Sequence, residues 1–421
     1  MKRTVAAALA LGVGLAAALT GCAASDAGGS GSGKTTLTFW HGYTADDGKK
    51  LNKIIDEFNA SQSKVTVKYS VKTWQVIGDS LLPALAAKKA PQIVALPAEQ
   101  LPVYAGKNAF ADLGDYYSSS SAAKSIKPEA VTMEEVGGKK YGVPTGFVPL
   151  SVVYNKKMFD AAGITSFPKT WDEWLAAAKK LTVDENGDGT PEQYGLALPD
   201  RQTVGNGVWA SLFYGNGGAI EKNGKAVLDS AANVETLTYW ANAVTKDKIS
   251  PTGLDGIKSD NLFASGKAAM EVGGPWMVAV AAGNKIDAGM AAIPAGPKAQ
   301  AASAIGVSMG ITSTATAAEK KAAETFFDYF YSKKVAAEWS LGSGWPPLTT
   351  NVAESAVSSN PTVATLTALA DRARPLLPGV IKSSDVLSAV DDATQRALGG
   401  EDPAAALKAS QLLVQSALSA K

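Results

Sequence analysis

Residues Tyr141 to Trp174 read YGVPTGFVPLSVVYNKKMFDAAGITSFPKTWDEW, and the fold turns on this stretch. Val152, Val153 and Tyr154 favour a pleated, half-buried strand, while Gly142, Pro144, Gly146 and Pro149 interrupt the run just upstream. Gly163 follows KKMFDAA as a glycine that closes a helix, and Pro168 blocks continuation. Thr170, with Glu173 three residues on, has the spacing of a capping box for the helix WDEWLAAAKKL. A strand broken by Gly and Pro in mid-chain predicts a crossing between two lobes.

The bulk properties agree. At 421 residues the chain exceeds what one hydrophobic core usually supports. Lys and Arg number 40 against 39 Asp and Glu, with no run of either sign, which argues against nucleic acid as a partner. His41 is the single histidine, so neither a His-based metal cluster nor a Ser–His relay can be assembled.

The N-terminus predicts the compartment. MKRTVAAALALGVGLAAALTGC has a basic start, an apolar run from Val5 to Leu19 and small residues before Cys22, as in a secretory leader. That run is too short for a membrane span. Leu19-Thr20-Gly21-Cys22 resembles a bacterial lipobox, which implies cleavage after residue 21 and a diacylglyceryl group on Cys22. Cys22 is the only cysteine, so no intrachain disulfide competes for it. Acyl chains anchor at about 0.8 kcal/mol per buried methylene. Residues 22–34 then form a lipidated, flexible tether to the outer face of the cytoplasmic membrane.

Beyond the tether, strand and helix alternate. Thr36–Trp40, Val65–Tyr69 and Pro91–Leu96 read as strands, with helices near Asp46–Asn59 and Ser80–Lys88 between them. Ile305–Ile311 reads as a later strand, followed by helices Ala317–Tyr331, Ser383–Leu398 and Pro403–Ser419. The alternation predicts α/β lobes with mainly parallel sheets.

Five segments in register resemble one family. They are Thr36–His41; Ala90-Pro91-Gln92-Ile93-Val94, with Gln92 for the usual Asp; Tyr104-Ala105 through Leu113; Tyr154-Asn155-Lys156 through Glu173; and Phe263-Ala264-Ser265-Gly266-Lys267-Ala268-Ala269-Met270 with Gly274-Pro275-Trp276. The chain is similar to the sugar-binding solute-binding lipoproteins of ABC importers, the branch that includes maltodextrin- and glycerol-phosphate-binding proteins. The resemblance implies a periplasmic-binding-protein-like fold, with one solute held between two lobes. It further implies a monomer that needs no cofactor and delivers its solute to permease subunits driven by a cytoplasmic ATPase. The lobes expected are 35–145 with 303–342, and 150–297 with 351–421. Crossings are expected near 146–149, 298–302 and 343–350.

A sugar presents C–H faces and hydroxyls, so its site needs aromatic platforms beside polar groups. The resemblance gives Trp276, with Gly274 in its Gly-Pro-Trp loop, as the stacking residue, and Trp345 as a second cleft aromatic. His41 and Tyr43 follow the first strand, where cleft residues gather in open α/β sheets. Glu99 and Gln100 stand where maltodextrin binders have an acidic–basic pair; a solvated helix start explains Glu99 equally well. Trp74 either stacks on ligand or covers a core, and Phe147 faces either cleft or hinge. Tyr214 and Asn216 lie in a Gly-rich loop similar to a family cleft loop, although a tight turn accounts for its glycines too. Arg372 and Arg374 match a late loop that carries an Arg in glycerol-phosphate binders. Leu387 stands where maltodextrin binders stack a Trp, which argues against a long groove. Asp184, Asn186 and Asp188 fit the first half of a calcium loop, but position twelve is Gly195, so a surface turn is the expected reading, with a weak structural calcium site as the alternative.

Closure on a carbohydrate is the leading function, with a glycerophosphodiester or polyol as the alternative solute. A lipid-anchored glycan hydrolase is the rival from another class, and it requires two carboxylates across a cleft. No stretch offers such a pair in a recognisable catalytic setting. The third class, a scaffold or adhesion protein, gives no role to the Gly-Pro-Trp loop.

Overall fold

The computed structural model describes residues 33–201 and 205–419. Cys22, the leader and most of the tether lie outside the described residues. The two main sheets use β1 (Thr35–His41), β2 (Val65–Val71), β3 (Ile93–Pro97), β4 (Val143–Pro149), β5 (Ser151–Asn155), β6 (Met270–Gly273), β7 (Ala288–Ala292), β8 (Ala302–Ile311) and β9 (Ala373–Pro375).

In the first sheet β1 lies between β2 and β3, parallel to both, with Thr35 beside Val65 and Phe39 beside Ile93. Alternation along β3 fills two layers. Ile93 and Ala95 join Leu37 and Phe39 under the helices Asp46–Ser61 and Ala317–Phe330. Val94 and Leu96 point the other way, onto Ile77 and Leu81 of the helix Trp74–Ala86. That helix starts earlier than its apolar spacing predicts because Thr73 caps it, accepting from the Val76 N–H at 3.3 Å.

The second sheet has three strands, with β5 in the middle and both neighbours antiparallel to it. The expected mainly parallel sheet therefore holds around β1 and fails here. The helix Trp276–Gly283 gives β6 and β7 one direction, as the alternation predicts, but β5 inserts between them. Tryptophans fill the core behind: Trp240 meets Trp171 at 5.5 Å and Trp174 at 4.9 Å. Each such pair adds about 0.5–1.5 kcal/mol beyond its buried area. Trp171 and Trp174 are buried and Tyr154 packs on Phe159 and Phe167, so these aromatics of the opening stretch serve packing.

Two strands carry the chain between the cores. Val148 of β4 belongs to the first core and Leu150, one residue past its end, to the second. On β8, Ala302 belongs to the second core, Val307 and Met309 to the first, and Ile305 touches both. β8 runs antiparallel to β3 and β4 and parallel to β9, with its register shifting between Val307 and Ser308. The third crossing differs from expectation. Val352, Val357 and Val363 pack on Ala336, and Leu366 joins the first core, so this region stays with the first lobe. The chain reaches the second core only at Leu376. Among the described residues no helix is long and apolar enough to cross a membrane.

Candidate functional site

The Gly-Pro-Trp loop joins β6 to the helix Trp276–Gly283. A Cβ on Gly274 would lie 2.2 Å from the Trp276 ring, so only glycine lets the indole fold back over the turn. Trp276 is half-buried and touches two cores: the first-lobe core, and a small second-lobe cluster of Val153, Phe263, Met277 and Ala281. Facing it, Gly344 ends the helix Lys333–Ser343 in the left-handed conformation, φ 81°. A Cβ there would meet Pro275 at 3.2 Å, so the loop carrying Trp345 abuts the loop carrying Trp276.

An aromatic floor lies behind this contact. Tyr43 meets the Trp74 ring edge-on at 5.3 Å and Trp339 at 5.5 Å. Thr145 of β4 holds the floor, its hydroxyl 2.6 Å from the Tyr43 hydroxyl and its carbonyl accepting from the Trp339 indole N–H at 2.9 Å. Trp345 lies flat on Gly146, where a Cβ would come within 2.2 Å of its ring. It is only 3 % exposed, so it is a floor residue and not the open cleft platform expected. Its indole nitrogen interacts with the Asp47 carboxyl. Burial raises the Asp47 carboxyl above its ordinary value.

Tyr43 and His41 are likewise buried. The Tyr43 hydroxyl is engaged by Thr145, so Tyr43 supports the floor. His41 is fully buried with Nε2 2.9 Å from Asn52 Oδ1, and burial lowers its pKa, leaving a neutral ring. Its expected hydrogen bonds to a solute are therefore replaced by a structural one. Trp74 remains half-buried, its ring covering Gly42.

Glu99 and Gln100 lie in the short turn that follows β3. The Glu99 carbonyl accepts from the Ser383 hydroxyl at 2.7 Å, which joins this turn to the helix Ser383–Leu398 of the second lobe. Burial pushes the Glu99 carboxyl up to about 7. Gln100 is half-buried beside it. Phe147 is half-buried in β4 opposite Gly306 of β8, which makes it a crossing residue. Arg372 lines a small pocket at that crossing with Pro149, Leu150, Gln300 and Ala302. Arg374 places its guanidinium 5.4 Å from the centre of the half-buried Tyr214 ring.

Asn216 needs correction. Its side-chain amide donates to the Ala232 carbonyl and to Glu235 Oε2, both at 3.1 Å, and only 3 % of it is exposed. A Cβ on Gly218 would strike Asn233 at 1.9 Å, so the Gly-rich loop answers to packing. The acidic loop is also structural. Asp184 accepts from the N–H of Gly187 and of Gly189, and the Asn186 and Asp188 carbonyl or carboxylate oxygens accept from Asp188 and Thr190 N–H groups. Among the described residues no cluster of three or more His, Cys, Asp or Glu could hold a metal.

The structure thus gathers Trp276 and Gly274 with Trp345, Tyr43 and Trp74, and gives Glu99, Arg372 and Tyr214 other neighbours. Asp47, Thr145, Trp339 and Ser383 were not anticipated. Only Asp47 had a sequence signal, an acidic first turn directly after Tyr43.

Residues 53–365 match the bacterial extracellular solute-binding protein family. A diacetylchitobiose-binding protein of Streptomyces coelicolor is 30% identical over 344 residues, 76% of this chain and 75% of the relative. A solute-binding protein of Thermotoga lettingae bound with α-D-tagatose superposes with a TM-score of 0.82 at 23% identity, covering 91% of this chain and 100% of that one. The maltodextrin-binding domain of Bdellovibrio bacteriovorus with maltotriose gives 0.79 at 23% identity, with 91% and 99% covered. The chain belongs to the bacterial extracellular solute-binding protein family.

Proposed function

We propose that this chain captures a carbohydrate between its lobes outside the cytoplasm and delivers it to the permease of an ABC importer, without catalysis. Trp276 carries the proposal. A half-buried indole, backed by a glycine and turned from one lobe toward the aromatic floor of the other, is the platform a sugar ring requires. Lobe borders near Pro149, Ala302–Ile305 and residues 367–375 are part of this reading, as is anchoring through Cys22. Ligand favours the closed state only by its differential affinity for it, and groups from both lobes supply that difference. The sugar-binding relatives make a di- or trisaccharide the first probe.

A thermal-shift screen of residues 22–421 against mono- and oligosaccharides tests it. A saccharide at about 100 times its Kd stabilises by about 2.7 kcal/mol. A raised Tm with the saccharide recovered intact is the expected result; no shift across the panel, or released sugar products, contradicts it.

A further inference from the structure

We propose that Asp260 and Glu271 form a proton-sharing carboxyl pair that seats the Trp276 indole. Glu271 is 1 % exposed on β6, opposite Val153 of β5. Its Oε2 meets no donor. Asp260 sits on the helix Gly256–Ala264, which packs on both β6 and the helix Trp276–Gly283. It is the carboxyl that bears on Glu271, and it also interacts with the Trp276 indole. Two carboxylates are acceptors only, so a bond between them exists only when one carries a proton. That proton supplies the donor that Oε2 otherwise lacks.

Among the described residues no cation bears on the pair. β5, β7 and the helix Trp276–Gly283 carry no charged side chain. Lys258, on the Asp260 helix, is 3.8 Å from Asp255. The helix Asp46–Ser61 approaches Trp276–Gly283 from the first lobe, with Asp47 as its buried charge. From outside the pair, the charge that bears on it is Asp255. Burial first, then the neighbouring Asp260 carboxyl, pushes Glu271 well above the ordinary carboxylate range. The pair therefore holds its proton to higher pH than an ordinary carboxyl does, and loses it to solvent as pH rises further. Two facing carboxylates then repel, and the seat of Trp276 loosens. The consequence for affinity rests on the carbohydrate reading: saccharide binding weakens as the pair loses its proton with rising pH.

The test uses residues 22–421 labelled with 5-fluorotryptophan, followed by fluorine NMR. The Trp276 resonance, one of nine, is assigned by its loss in Trp276→Phe. In the wild type it shifts as pH is raised past the ordinary carboxylate range; in E271Q and in D260N it stays in place. A Trp276 resonance that ignores pH in the wild type, or titrates alike in wild type and both variants, overturns the pair. D260N gives the same readout should E271Q fail to fold. A parallel titration with maltotriose and diacetylchitobiose separates the two claims. Absence of binding at every pH sinks the carbohydrate reading and leaves the fluorine result standing.

Discussion

Gly146 and Trp345 depend on each other, since a Cβ on the glycine would sit 2.2 Å from an indole that is itself boxed in. Gly146→Ala is expected to cost about 1–3 kcal/mol by overpacking, measured as a lowered urea midpoint. Asn216→Ala removes the two hydrogen bonds of this buried amide and is expected to cost about 1–3 kcal/mol while leaving saccharide affinity unchanged. A calorimetric loss of affinity in that variant would restore Asn216 to the site. At this scale the sequence was legible where neighbours in the chain decide the outcome. Gly274 and Pro275 beside Trp276 announce a turned-out aromatic because the ring folds onto its own loop. Asn216 was misread because its partners arrive from a helix further along the chain, and His41 because Asn52 closes on it from the next helix.

The helix Trp171–Leu181 begins as its local spacing predicts. Thr170 accepts from the Glu173 N–H at 3.3 Å, while the Glu173 carboxylate takes the Lys169 N–H at 2.7 Å, one residue earlier than a capping box places it. Thr170→Ala is expected to cost about 0.5–2 kcal/mol in denaturant titration. Strand pairing is a different matter. The partners of β5 lie far along the chain, so its antiparallel neighbours could not be read from helix–strand alternation alone. A buried carboxyl beside the crossing strand gives this scale its pH signature. Glu134 accepts from the Ser308 hydroxyl at 2.7 Å, and burial pushes it from 4.5 up to about 8. Between those values the folded chain holds a proton that the unfolded chain has lost, so stability falls as pH rises through that window and levels off above it. Glu134→Gln keeps the hydrogen bond and removes this contribution, so urea midpoints across the same window should fall less than in the wild type. An equal fall would mean that Glu134 is ionised in the folded state.

For the whole molecule, two cores joined by β4, β8 and the segment before Leu376 make bending between lobes the available large motion, with the Trp276 loop meeting the Trp345 loop as the point of closure. The two-lobe plan was legible because apolar periodicity and the length of the chain both demand more than one core. The third crossing was not, because residues 352–366 have nothing in their own pattern that says which lobe they cover. Calorimetric titration of residues 22–421 with the saccharide of largest thermal shift, wild type beside Trp276→Ala, tests the account most directly. Saturable binding is expected in the wild type, with loss of binding in the variant and its ligand-free Tm nearly retained. Undiminished binding by Trp276→Ala, or no saccharide bound by the wild type, would contradict it.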